Sequence, residues 1–179
     1  MASLTRGGVI LAALLCMPVG VTARQDSGPE RAYLRAVSRY FELPEAEISI
    51  LAHWGLPADE IPVALFVARR AGVSAEALVA LRESGRSWNG LAASYNIGAN
   101  ALHVPLSDPA AAGVLIPAYE RFRDTPVADW AGVRLEEREI IALVNVRVLS
   151  EALGVAPDEI ARRTGSSASF VELYAQLLR

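Results

Sequence analysis

Apolar residues recur at intervals of three and four along nearly the whole chain after residue 27, which is the spacing of one face of an α-helix. In the first such stretch they are Tyr33, Leu34, Val37, Tyr40 and Phe41. No stretch of useful length alternates apolar and polar residues as a half-buried β-strand does. The sequence therefore predicts an all-α fold, a compact domain of many short helices.

Serine, proline and glycine mark where these helices begin and end. Ser27, Ser74 and Ser87 are expected N-caps, because a serine hydroxyl accepts a bond from the first helical turn. Gly72 and Gly154 are expected to end helices in the left-handed conformation. The predicted helices run from Ser27, from Pro44, over 57–71, from Ser74 to Gly85, from Ser87 to about Gly98, over 118–123, over 135–153, from Pro157, and from Ser167 or Ser169 onward.

The stretch 135–153 is the longest of these and is apolar on almost every side from Ile140 to Leu149, which predicts the central buried helix. Asn145 lies within it. Since a buried amide without partners costs about 1–3 kcal/mol, Asn145 is expected to be hydrogen-bonded and to fix how the helices pack. Arg147 is expected to pair with an acid such as Glu151, one turn away.

The N-terminal residues have the pattern of a cleavable secretory signal peptide. Arg6 is followed by the apolar run Val9–Cys16 and then by a helix-breaking proline and glycine, and Val21–Ala23 is a small-residue cleavage site. A membrane anchor needs about 20 apolar residues, and this run is shorter. We therefore expect cleavage after Ala23, no stable membrane span after processing, and a periplasmic or secreted protein.

The predicted domain organisation is a signal peptide, 1–23, and a single helical domain, 24–179. Cys16 is the chain's one cysteine, so the mature domain is cysteine-free. A cysteine-free domain cannot form a disulfide, a thiolate metal site or a cysteine nucleophile.

The two ends of the domain resemble each other in sequence. A shift of 82 residues aligns Gly72-Val73 with Gly154-Val155, Ser87 with Ser169, and Trp88 with Phe170. This register predicts an internal duplication, with lobes at about 43–102 and 133–179 and a linker at about 104–132. Each lobe would hold a long helix, a glycine turn, a short helix and a serine-capped aromatic helix.

Several stretches resemble a family of small, exported, all-helical bacterial proteins whose function is not known. They are Glu60–Val63, Phe66–Ala71, Val79–Arg82, Ser84–Trp88, Val104–Leu106, Glu139–Ile140, Leu143–Arg147, Leu149–Glu151 and Gly154–Val155. The chain departs from the family in having Leu102-His103 where two aromatic residues are expected. The resemblance covers most of the mature chain. It implies a helical, exported protein and no particular activity.

Two segments have the small and apolar pattern of a DNA-binding helix-turn-helix. They are Val67–Ser74 and Ile160–Ser166, the latter with Phe170-Val171 following. Any two short helices packed at a glycine turn need the same residues. Because the net charge is −3 and the chain has an export signal, we expect helix-turn-helix geometry without nucleic-acid binding.

The best candidate ligand site groups Arg82, Arg86 and Trp88 around Gly85. Arginine beside an indole suits a carboxylate, a phosphate or a glycan; the alternative is a solvated arginine pair with Trp88 in the core. His53 and His103, the only histidines, are added as candidate ligand-binding residues. Neither lies in a metal-ligand motif, so no metal and no cofactor are expected.

The sequence carries no motif that identifies a catalytic residue. We therefore expect a binding or structural module of the cell envelope, with an envelope protein or other component as partner. One alternative is a ligand-binding protein or enzyme whose site lies between the lobes. A second alternative, a helix-turn-helix DNA-binding protein, applies only if the N-terminus is not a signal.

Overall fold

The computed structural model describes residues 28–179. The predicted signal peptide, its cleavage after Ala23 and the predicted Ser27 cap lie outside these residues. Within residues 28–179 the secondary structure consists of ten α-helices and four short 3-10 turns, with no β-strand. The predicted all-α class is confirmed.

The ten α-helices are α1 Gly28–Phe41, α2 Glu45–His53, α3 Ile61–Ala71, α4 Ala75–Glu83, α5 Trp88–Ser94, α6 Ala99–Leu102, α7 Ile116–Asp124, α8 Glu137–Leu153, α9 Pro157–Arg163 and α10 Phe170–Leu177. The 3-10 turns are Ala58–Glu60, Pro109–Ala111, Gly113–Leu115 and Val127–Gly132.

Local chemistry explains most of these boundaries. Ser74, Ser87 and Ser169 are N-caps whose hydroxyls accept backbone N–H bonds from the first turns of α4, α5 and α10. Gly72 and Gly154 end α3 and α8 with φ of 69° and 65°, a left-handed conformation in which a side chain is strained. Of the two serines considered for the last helix, Ser169 is the cap.

Several boundaries differ from the sequence prediction, three of them for a clear local reason. The helix expected over 57–71 begins as a 3-10 turn and becomes α3 at Ile61. The helix expected to reach Gly98 ends at Ser94, and the short α6 follows. The helix expected from Leu135 begins at Glu137, because Glu136 and Glu139 form a reciprocal capping box there.

Helix α8 is the centre of the fold, as its apolar sequence predicts. It packs against α1, α3 and α9 and also contacts α5 and α6. Its side chains from Ala142 to Val146 are all buried. A helix surrounded in this way needs no polar face along most of its length.

Two parts of the chain follow the same order of elements. In both, a buried helix (α3 or α8) ends at a left-handed glycine, a short helix follows, and a serine-capped helix begins with Trp88 or Phe170. These parallels support the internal duplication, which stays a prediction. The segment 104–132, predicted as a linker, contains α7 and contributes Leu115, Tyr119 and Phe122 to the core.

Candidate ligand-binding cleft

Arg82 and Trp88 meet at a carboxylate that the sequence analysis did not single out, that of Glu60. Arg82 donates to Glu60 from Nε at 2.8 Å and from Nη2 at 3.2 Å, and the Trp88 indole N–H donates to Glu60 at 2.7 Å. Arg82 Nη2 also donates to Glu137, and Nη1 donates to the carbonyl of Arg86. All three nitrogens of Arg82 therefore have internal partners, and Trp88 is completely buried. This cluster joins helices and leaves little for a ligand to bind.

The side chains of the other predicted site residues lie outside this cluster. Arg86 is exposed and donates to Ser94 at 2.9 Å. His53 is exposed at the end of α2, and no hydrogen bond, ion pair or ring contact joins it to Arg82 or Trp88 in the described residues. His103 lies elsewhere, among aromatic rings. A single site built from all five residues is therefore not formed.

Asn145 is fully buried and hydrogen-bonded, as expected. Its amide N–H groups donate to the carbonyls of Asp59 at 2.8 Å and Ile141 at 2.9 Å, and its oxygen accepts from the Tyr33 hydroxyl. Since Tyr33 lies on α1, Asn145 links α8 to α1 and to the turn before α3.

Arg147 has partners other than the one predicted. Its Nη2 donates to the carbonyls of residues 101–103 at 2.9–3.3 Å, and its guanidinium lies 5.0 Å from the centre of the Phe66 ring. In the described residues no ion pair joins it to Glu151, so that prediction is wrong. Arg147 satisfies the C-terminal carbonyls of the short helix α6 and thereby fixes the backbone at His103.

The predicted helix-turn-helix segment at 160–171 is packed in a way that leaves no free recognition helix. The N–H groups of Phe170 and Val171, at the start of α10, donate to the Asp59 carboxylate at 3.0 and 3.2 Å. Tyr174 of α10 contacts Tyr33 of α1. A DNA-reading helix presents its N-terminal residues to the major groove, and here they face the protein's own turn.

His103 stands in a cluster of aromatic rings that the sequence analysis did not identify. Its ring centre lies 4.4 Å from that of Trp130, 4.9 Å from Phe122 and 5.5 Å from Tyr119. Phe122 and Tyr119 are buried, whereas His103 and Trp130 are half-buried. His103 and Trp130 therefore form the outer layer of the cluster.

A cleft of about 500 Å³ opens over this outer layer. Its walls are largely apolar and include Pro105, Leu106 and Ile116, and the exposed charged residues Glu120 and Arg123 stand at its edge. Concave sites with mostly apolar walls and a few polar groups are typical of ligand binding. This cleft is the best candidate functional site.

The polar atoms of two of these aromatic side chains, Trp130 and Tyr119, are bonded to the backbone. The Trp130 indole N–H donates to the carbonyls of Phe122 at 2.9 Å and Thr125 at 3.0 Å. The Tyr119 hydroxyl donates to the carbonyl of Val104. These bonds fix the orientation of the two rings, so Trp130 and Tyr119 present ring surface to the cleft and not donors.

Helix α7, which carries Tyr119 and Phe122, is held to α8 by an ion pair. Arg121 donates to the buried carboxylate of Glu139, whose same oxygen accepts the backbone N–H of Glu136 at 2.7 Å. The cleft is therefore built on fixed elements, which is the arrangement that favours a preorganised binding site.

The 3-10 turn Val127–Gly132, which carries Trp130, separates the aromatic cleft from a second cleft of about 500 Å³. On the side of the second cleft, Gly98 lies against Ala131 so closely that a Cβ at Gly98 would stand 2.7 Å from the Ala131 carbonyl oxygen. Only glycine fits there, because the Ala131 carbonyl oxygen and Cα would stand 2.7 and 2.8 Å from the added Cβ, and backbone atoms cannot turn aside as a flexible side chain can.

Replacing Gly98 with alanine is expected to displace this turn and to lower the free energy of unfolding by about 1–3 kcal/mol, the usual cost of overpacking. The matched control is Gly132→Ala, because a Cβ there meets nothing within 4 Å. Urea unfolding measures the stabilities, and the Trp130 indole signal in a nitrogen–proton correlation spectrum reports the displacement. Equal stabilities with an unmoved Trp130 signal would show that the close contact does not exist.

The pKa of His103 is lowered from its ordinary value of 6.5, first by burial and then by the nearby Arg147 guanidinium. The folded state therefore favours neutral His103. This contribution to stability is fully present above the unfolded-state pKa and is lost as the pH falls through the folded-state value.

We accordingly expect the free energy of unfolding to decrease as the pH is lowered below about 6.5, and His103→Phe to reduce this decrease. Phenylalanine keeps an aromatic ring in the cluster but does not titrate. His53→Gln, at the exposed end of α2, is measured beside it as a histidine replacement outside the cluster. Urea unfolding between pH 4.5 and pH 8 measures all three proteins. Parallel curves for wild type and His103→Phe would refute the assignment.

In residues 28–179, no group of three or more histidine, cysteine, aspartate or glutamate side chains is placed to hold a metal ion. Of the helices in the same part of the chain, none is both long enough and apolar enough to cross a membrane.

Comparison of the chain with known protein families, curated proteins and solved structures found no match. The resemblance to small exported helical proteins therefore stays a prediction.

Proposed function

We propose that this chain is an exported helical binding module of the bacterial cell envelope, and that the aromatic cleft at His103 and Trp130 is its ligand site. One observation carries the proposal: half-buried rings of fixed orientation line a cleft of about 500 Å³, while the polar atoms of Trp130 and Tyr119 are already bonded to the backbone. Such a surface gains free energy when a ligand covers it.

Binding is favoured over catalysis at this cleft. In the described residues, no hydroxyl or carboxylate is hydrogen-bonded to the His103 side chain, whose neighbours are aromatic rings. A general base needs a substrate proton within reach and usually a third group that orients the imidazole. The cleft supplies apolar surface and edge charges, which are the means of binding.

Export rests on the sequence of the first 23 residues. The test is fractionation of cells that express the full chain with a C-terminal tag, followed by N-terminal sequencing. The expected product is a periplasmic or secreted protein that begins at Arg24. A cytosolic product that retains Met1 would refute export and would reopen the DNA-binding alternative.

Binding is tested by co-sedimentation of the purified protein with an isolated cell-envelope fraction. Trp130→Ala is expected to weaken binding about 10- to 30-fold, as loss of an aromatic anchor does. Trp54→Ala is the matched control, because Trp54, directly after α2, is 42% exposed and is not among the residues lining the cleft. Circular dichroism confirms that both variants are folded. Equal affinities for the two variants would refute the cleft as the binding site.

A further inference from the structure

We propose that the aromatic cleft binds the pyranose ring of an uncharged carbohydrate, an inference that rests on the binding function proposed above. A pyranose ring has an apolar C–H face and a rim of hydroxyl groups, and each hydroxyl is both a donor and an acceptor. Its ligand site must therefore combine aromatic surface with both kinds of polar group.

The aromatic surface is provided by His103 and Trp130. Their ring centres are 4.4 Å apart and their planes are inclined by 41°, so the two rings pack on each other and form one aromatic block in the wall of the cleft. The two bonds from the Trp130 indole N–H to backbone carbonyls prevent the indole from turning its edge toward a ligand. A ring-shaped ligand with an apolar face can lie against such a wall with good contact.

Three polar side chains at the cleft supply the donors and acceptors that hydroxyl groups require. Glu120 is an acceptor, Arg123 is a donor, and neutral His103 has one nitrogen of each kind. Glu120 and Arg123 lie three residues apart on α7, so they project from neighbouring positions on one helix face. Arg123 donates to Asp124 from Nε at 3.0 Å, and that bond does not use its two terminal nitrogens.

The charges at the cleft favour a neutral ligand. Glu120 and Arg123 have opposite sign, and the lowered pKa of His103 keeps its imidazole neutral near pH 7. An anionic ligand would be attracted to Arg123 and repelled by Glu120, and a cationic ligand would be attracted to Glu120 and repelled by Arg123. A carbohydrate without charge uses both side chains as hydrogen-bond partners.

A proline-rich peptide, the other common occupant of aromatic grooves, fits less well. Such a peptide in the polyproline II conformation has carbonyl groups without internal hydrogen bonds, so its groove must supply donors. The Trp130 indole N–H and the Tyr119 hydroxyl are bonded to the protein's own carbonyls, which leaves Arg123 and one nitrogen of His103 as donors, and a chain of prolines has no N–H group to pair with the acceptor Glu120.

Nitrogen–proton correlation spectra of the purified, labelled protein test the proposal. The sugar probes are chitotetraose, which has the N-acetylated sugar found in envelope glycans, and maltotetraose, which represents a free soluble sugar. Decaproline is the peptide probe. The expected result is a saturable shift of the Trp130 indole and of signals from residues 103–106 and 116–123 with at least one sugar, and no saturable shift with decaproline.

Variants at the edge of the cleft distinguish binding at a specific site from nonspecific binding of sugar to the protein surface. Glu120→Leu and Arg123→Met are each expected to weaken sugar binding about 5- to 30-fold, which corresponds to the loss of one or two hydrogen bonds. Both side chains are exposed, so neither change is expected to unfold the protein. Arg39→Met, at an exposed position on α1, is the control and is expected to bind as the wild type does.

The outcomes distinguish this inference from the function on which it rests. The carbohydrate assignment would be overturned if decaproline alone bound saturably. It would also be overturned if neither sugar bound while the protein still co-sedimented with envelope in a Trp130-dependent way. Both outcomes would leave the binding function in place. Failure of both the sugar titration and the co-sedimentation would overturn both. Saturation that is unchanged in Glu120→Leu and Arg123→Met would also overturn the carbohydrate assignment.

Discussion

Replacing Asn145 with alanine is expected to lower the free energy of unfolding by about 3–4 kcal/mol. The change removes three hydrogen bonds from the centre of the fold and leaves the buried Tyr33 hydroxyl and the Asp59 carbonyl without their partner. Each unsatisfied buried group costs about 1–3 kcal/mol, and the small cavity adds to the loss. Urea unfolding measures the difference.

The control for Asn145→Ala is Asn100→Ala, an exposed position where the same change is expected to cost less than about 0.5 kcal/mol. The double variant Tyr33→Phe/Asn145→Ala is expected to lose less than the sum of the two single changes, because it no longer contains an unpaired hydroxyl. A loss of under about 1 kcal/mol for Asn145→Ala, or strict additivity with Tyr33→Phe, would contradict the hydrogen bonds described for α1 and α8.

Replacing Glu60 with alanine is expected to cost about 2–3 kcal/mol. The carboxylate accepts bonds from Arg82 and from the completely buried Trp88 indole, so its loss leaves a buried N–H without a partner and weakens the pairing of a half-buried cation. Glu137→Ala removes the other carboxylate of Arg82, but that carboxylate is more exposed, and the Trp88 indole N–H bonds to Glu60 instead.

Because Glu137 is partly exposed and Arg82 keeps its bond to Glu60 when Glu137 is removed, Glu137→Ala is expected to cost less than about 1 kcal/mol. The two variants remove the same chemical group beside the same arginine, so their difference measures the burial of Glu60 and its bond to Trp88. Unfolding in urea at pH 7 gives both values. Equal losses would contradict the central role of Glu60 in this cluster.

The sequence predicts the local structure well because the signals are local. A serine hydroxyl at Ser74 or Ser87 meets N–H groups three residues away, and a glycine at Gly72 or Gly154 ends the helix to which it belongs. The burial of α8 also follows from its own composition. These features need no knowledge of what the helices pack against.

The two residue clusters depend on tertiary contacts that the sequence does not display. Arg82 and Trp88 were correctly placed near each other, but their shared partner Glu60 lies 22 and 28 residues earlier in the chain. In the sequence, His103 stands out only because the chain has two histidines. Its true neighbours, Tyr119, Phe122 and Trp130, lie in the segment interpreted as a linker.

One available signal pointed to the aromatic cluster. Tyr119 and Phe122 stand three residues apart in a segment predicted to be helical, which puts both rings on one side of that helix. A short helix with two aromatic residues on one face must cover them with other groups. The sequence offers two such groups: the neighbouring Trp130, and His103 in the Leu102-His103 pair that stands where the resemblance implies two aromatic residues.

Hydrogen–deuterium exchange of the purified protein, with and without the isolated envelope fraction, tests the binding cleft most directly. The expected result is slower exchange in peptides that cover residues 103–106 and 116–132, with little change in α2 and α4. Unchanged exchange throughout, or protection confined to the exposed Ile50 and Trp54 surface of α2, would contradict the assignment of the cleft as the ligand site.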